Sequence, residues 1–108
     1  MARIDCPYIG GEVELTDERA QHIAENHPDL LPVHRDLVDA TLALPDLVRR
    51  SSRFGKARLF SRWFAELRGG KHIVVVVVSD APPNSRHWII TAYLARSLTG
   101  GTVEWQRR

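Results

Sequence analysis

The sequence predicts an α+β fold in which two N-terminal helices pack on a twisted antiparallel sheet of about four to five strands. Three observations predict it. Between Thr16 and Pro45 apolar residues recur at helical spacing, with Thr16, Pro28, Pro32 and Pro45 as punctuation. After Pro45 the period drops to two, and short apolar segments alternate with Gly, Pro, Asn and Ser turns. One segment, Ile73 to Val78, is apolar throughout, as expected of a strand buried on both faces at the middle of a sheet. Helices first and a meander of strands afterwards place the helices on one face of that sheet.

The first element is a short strand around Tyr8 to Leu15, interrupted by Gly10-Gly11. Thr16 stands where an N-cap belongs, and Asp17 and Glu18 suit the positive end of a helix over about 17–27. Ala20, Ile23, Ala24 and His27 form its narrow buried face, with Arg19, His22 and Asn26 as the stripe beside it. Pro28 ends the helix by disfavouring helical geometry at His27. A second helix runs from after Pro32 to Leu44, with Val33, Leu37, Ala40, Thr41 and Leu44 inward, and Pro45 stops it. Strands are expected over 46–52, 57–67, 71–79, 86–94 and 102–106, with Gly69-Gly70 as a tight turn and residues 80–85 as a longer loop.

At 108 residues the chain is read as one domain, residues 1–108. Cys6 is the lone cysteine, so no disulfide forms within the chain, and together with an N-terminus lacking an apolar signal region this points to the cytoplasm. No apolar run approaches the roughly 20 residues of a membrane helix, so no membrane partner is expected. The net charge of +2 permits a nucleic-acid partner without requiring one, but 13 of the 15 basic residues are Arg. Arginine offers planar, bidentate hydrogen bonds to phosphate where lysine offers a point charge.

Several chemistries lack their residues. His22 and His27 are five apart and point in different directions, and there is no HExxH or CxxC pattern, so no metal site is expected. There is no GxSxG elbow, GxGxxG turn or phosphate-binding GxxxxGK[ST] loop, so neither a serine nucleophile nor a nucleotide cofactor is expected; the cofactor expectation is none. What remains is a set of Arg, His, Thr and Tyr. Arg58 and Arg62 share a face of strand 57–67, while strict alternation puts His87, Thr91 and Tyr93 together on strand 86–94. If those strands flank the valine strand, guanidinium groups, an imidazole and hydroxyls converge in a way suited to a phosphodiester and the extra negative charge of its transition state.

The string "LTDERAQHIAENHP", then "LVDATLALPDLV", "ARLFSRWF", an apolar strand and "WIITAYLAR" resembles a family of small phage- and bacteria-associated domains assigned to the barnase, EndoU, colicin and RelE-like nuclease fold. The resemblance spans about residues 15–96 and is carried most by Thr16, Arg19, His22, Ile23, His27 and Pro28 and by Ile90 to Tyr93. It implies a RelE/barnase-like α+β fold and metal-independent RNA cleavage, in which the 2′-hydroxyl attacks the adjacent phosphate to give a 2′,3′-cyclic product. It also implies RNA as partner and, for a toxin, a cognate antitoxin or immunity protein. Carried over by position, His22 is the general acid or base, Arg19 holds the phosphate, Arg62 matches the family's basic position on the strand and is counted with the catalytic set, Thr91 contacts the phosphate, and Tyr93 hydrogen-bonds or donates a proton. Arg58, His87 and Asn26 are flanking RNA-binding candidates. The competing reading is a non-catalytic RNA- or protein-binding module on the same fold, or an interaction domain using Trp63, Trp88 or Trp105; the oligomeric state is left open.

Overall fold

In the computed structural model, which describes residues 1–81, 83 and 85–108, the N-terminal segment forms a hairpin rather than one strand. Strand β1 (Ala2–Cys6) pairs antiparallel with β2 (Gly11–Leu15), and their alternation buries Ile4, Cys6, Val13 and Leu15. The turn between them closes through Ile9 and Gly10 N–H groups donating to the Cys6 carbonyl, with Gly10 at φ +83°, a conformation that costs a residue with a Cβ.

Thr16 caps helix α1 (Asp17–Asn26), its hydroxyl accepting the Arg19 N–H at 3.1 Å. The helix stops one residue before the expected end, where His27 turns to φ −133° ahead of Pro28. Helix α2 (Arg35–Ala43) begins later than Pro32 implies; it buries Val38, Thr41 and Leu42, with Leu37 and Ala40 partly buried against the same core. Val33 therefore lies outside the helix and is 72% exposed, and Leu44, the residue after the last turn, is 49% exposed.

The remaining strands are β3 (Leu47–Arg50), β4 (Ala57–Phe64), β5 (Lys71–Ser79), β6 (His87–Ala95) and β7 (Thr102–Gln106). The loop expected over 80–85 contains Pro82 and Asn84, which lie outside the described residues. All strands join one sheet in the order β1-β2-β6-β5-β4-β3-β7, with β5, the valine strand, at its centre.

The expected fold of two helices on an antiparallel sheet of four to five strands is thus corrected to two short helices and a seven-stranded mixed sheet. Strand β2 meets β6 in parallel, at Glu14 opposite Trp88, because the helices carry the chain away before β6 returns beside it. Strand β7 adds antiparallel to β3 at the far edge. Both edge additions depend on long-range pairing, which the local period does not encode.

The core lies between the helices and one face of the sheet. Ile23, Leu30, Leu31, Val38 and Leu42 pack with Phe60, Ile73, Val75, Val77, Ile89 and Ala92. On the opposite face, Arg49 is buried and donates from Nη1 to the carbonyls of Thr99 and Gly100, at 2.7 and 2.9 Å, fastening the connection from β6 to β7 across the sheet.

One irregularity changes the placement of functional groups. Val76 pairs with Thr91 but Val77 pairs with Ile89, so Ile90 is an extra residue, a β-bulge in β6. The bulge flips the alternation: His87 and Ile89 share the helix-side face with Ser79 and Val77, while Thr91 and Tyr93 share the opposite face with Val76 and Val74. Among the described residues no helix is long and apolar enough to cross a membrane.

Candidate functional site

Arg50 and Arg58 stand directly opposite one another in the β3–β4 ladder. Like charges at that spacing repel, so the pair needs an anion. Glu104 of β7 supplies one: its Oε2 accepts from Arg50 Nε at 2.6 Å and its Oε1 from Arg58 Nε at 2.8 Å. Burial raises the affinity of the Glu104 carboxylate for a proton, but the two guanidinium hydrogen bonds and their charges outweigh it and hold the group below the ordinary glutamate range. The Tyr8 hydroxyl donates to the same Oε1 at 3.2 Å; burial and the Glu104 charge hold the phenol above its ordinary value, keeping it a donor. Arg58 also lies over the Tyr8 ring, 6.0 Å from its centroid.

This arrangement fixes Arg58 by Nε and, among the described residues, leaves its two terminal nitrogens without a protein partner. Those nitrogens belong to a residue lining a cleft of about 710 Å³ at one end of the sheet, between the β1–β2 turn and the ends of β3 to β6. Lys56 and Arg50 line it as further cations, Glu12 and Asp80 as carboxylates, and His87 as an imidazole. His87 Nδ1 is hydrogen-bonded to Ser79 Oγ at 2.7 Å, which orients the ring and leaves Nε2 as the nitrogen available for proton transfer. Guanidinium and ammonium groups with an oriented imidazole can bind a phosphodiester, stabilise added charge on it and move a proton.

Of the residues proposed from sequence, the structure brings Arg58 and His87 into this cleft and distributes the others elsewhere. His22, Arg19 and Asn26 are exposed on α1, where Asn26 Nδ2 donates to the His22 carbonyl at 2.9 Å and Arg19 and His22 border a shallow recess with Glu18 and Glu25. Arg62 shares the helix-side face of β4 with Arg58 but is four residues along, about 13 Å away. There its guanidinium lies 5.2 Å from the Phe64 ring centroid and reaches the Ala40 carbonyl near the end of α2 at 3.5 Å. Thr91 and Tyr93 lie on the opposite face of the sheet; Tyr93 lines a recess of about 430 Å³ with Arg53, Leu59 and Thr99. The histidine ring beside Tyr93 is that of His27, at 6.1 Å, rather than His22. Among the described residues no three His, Cys, Asp or Glu side chains gather as metal ligands.

Sequence reasoning passed over Tyr8, Arg50, Lys56, Ser79 and Glu104. A signal for Arg50 existed: a hairpin centred on Phe54 pairs position 50 with 58, and a like-charge cross-strand pair calls for an anion. Glu104 carried no local signal, since it meets its partners 54 and 46 residues away.

The Glu104 links predict an acid dependence. A depressed carboxylate contributes stability that is fully present above the ordinary glutamate value of about 4.3 and is lost as pH falls through the lower folded-state value. Glu104→Gln should therefore be about 1.5–3 kcal/mol less stable than the parent in chemical denaturation at pH 7, the scale of hydrogen bonds to charged groups, with the gap closing as pH falls from the ordinary glutamate value through the lower folded-state one. An unchanged gap across that range would show that the carboxylate charge is not what ties β7 to the two arginines.

No protein-family model matches the chain, and no curated protein or solved structure matches it significantly.

Proposed function

We propose that the protein is a metal-independent endoribonuclease whose working site is the cleft between the β1–β2 turn and the ends of β3 to β6. The observation that carries this reading is that Arg58, tethered through Nε with its terminal nitrogens unpartnered among the described residues, shares that cleft with an imidazole whose Nδ1 is fixed by Ser79. The resemblance read from the sequence supports the same chemistry.

In this reaction the RNA's own 2′-oxygen is the nucleophile, so the protein supplies no covalent partner. It needs a base at the 2′-hydroxyl, an acid at the departing 5′-oxygen, and cations around the pentacoordinate phosphorus. Arg58, with Lys56 and Arg50, surrounds the phosphate and offsets the charge that builds on its oxygens. His87 Nε2 carries one proton transfer, and Glu12 and Asp80 are the cleft groups able to carry the other.

The test is incubation of the purified protein with a set of single-stranded RNAs in EDTA, beside all-deoxy strands of the same sequences. Cleavage of the RNAs alone is expected. Intact RNA under conditions where the protein is folded would overturn the reading, as would equal cutting of both sugars, since a deoxy strand has no 2′-nucleophile.

A further inference from the structure

The loop from Ser51 to Lys56 presents an aromatic ring to solvent. Phe54 is 65% exposed, although burying a Phe side chain is among the larger gains available to a folding chain. The loop is held in shape: Ser51 Oγ accepts the Arg53 and Phe54 N–H groups at 3.1 and 3.2 Å, and the Ala57 N–H closes onto the Phe54 carbonyl at 2.9 Å. The ring is therefore displayed by a pinned turn.

Phe54 borders an apolar recess of about 480 Å³ floored by Val78 and Ile90, with Arg53 and Lys56 as its cations. Gly55 and Lys56 line both this recess and the cationic cleft, so the two adjoin across the end of the sheet. The Gly55 carbonyl also accepts a hydrogen bond from Arg50 Nη1 at 2.5 Å, coupling the loop to the cleft's own arginine. An aromatic face flanked by cations and continuous with a phosphate-sized cluster of donors matches a single-stranded nucleic acid, whose bases stack while its backbone follows positive charge.

We propose that Phe54 is a base-stacking platform, holding a nucleobase of single-stranded RNA next to the phosphate bound by Arg58 and Lys56. This rests on the ribonuclease reading and adds to it a substrate class and a positioning residue. A duplex, whose bases are already stacked and paired, leaves nothing for the ring to hold, so the protein should prefer unpaired RNA.

The experiment compares wild type, Phe54→Ala, Phe54→Leu and Phe54→Trp for binding to a fluorescent single-stranded RNA, its duplex, and an abasic oligonucleotide of the same length. The exposed position lets all variants fold, which thermal melting verifies. Phe54→Ala and Phe54→Leu should bind the single strand about 5- to 150-fold more weakly, the range of one base–aromatic stack, while Phe54→Trp keeps or improves affinity. On the abasic strand all four should bind alike. If the alanine and leucine variants match wild type on single-stranded RNA, or lose as much on the abasic strand, the stacking role is overturned and the ribonuclease reading stands. A wild-type protein that neither binds nor cuts any RNA overturns both.

Discussion

Arg58→Ala is expected to lower the rate of RNA cleavage by about 10²- to 10³-fold, the loss typical of removing one preorganised donor from a developing charge. The side chain is positioned before any substrate arrives. Glu104 takes Nε, the Tyr8 ring lies beneath the guanidinium, and among the described residues the terminal nitrogens have no protein partner. Arg58→Lys should recover little of the loss, because an ammonium group cannot both bond Glu104 and present a planar pair of donors to a phosphate. Denaturation midpoints of the two variants separate loss of the site from loss of the fold. A lysine variant of wild-type activity would show that a point charge suffices and that the tether to Glu104 has no catalytic use.

His87→Ala is expected to cost roughly 10²- to 10⁴-fold, the range for removing a positioned proton-transfer group. Its Nδ1 bond to Ser79 fixes the ring, and the bulge at Ile90 turns it to the face that carries Arg58. His87→Asn, which can keep a hydrogen bond to Ser79 but cannot exchange protons near neutrality, should be as inactive as the alanine variant. The same measurement on His22→Ala discriminates between two locations for the chemistry. If the exposed stripe of α1 carried it, His22→Ala would show the larger loss; the cleft assignment requires the larger loss at His87.

These expectations differ from a reading of the sequence in ways that particular residues explain. The start of α1 and the ends of both helices were legible because their signals are local: Thr16 caps, and Pro28 and Pro45 terminate; the start of α2, which has no side-chain cap, was not. The valine strand was legible as the centre of the sheet because six consecutive apolar residues have no other home in a chain of this size. Strand β1 was not, because "ARIDC" is short and the turn that isolates it lies in the segment that alternation assigns to a single strand.

The candidate site was half legible for a related reason. Alternation along "RHWIITAYL" groups His87 with Thr91 and Tyr93, and nothing in the string, neither Gly nor Pro, marks the bulge that separates them. Arg58 and His87 were both named as RNA-binding candidates, yet what brings them to one cleft is the ladder β4-β5-β6, a product of register rather than of either segment alone. The role of Glu104 depends on β7 crossing to the far edge, held on the way by the buried Arg49.

The most direct test of the central claim is end-group analysis of the RNA fragments released by the purified protein in EDTA. Attack by the 2′-hydroxyl within a metal-independent site predicts a 2′,3′-cyclic phosphate on the upstream fragment and a 5′-hydroxyl on the downstream one, both reduced in parallel by Arg58→Ala and His87→Ala. Fragments ending in 3′-hydroxyl and 5′-phosphate, or RNA left whole by a folded protein, would contradict it.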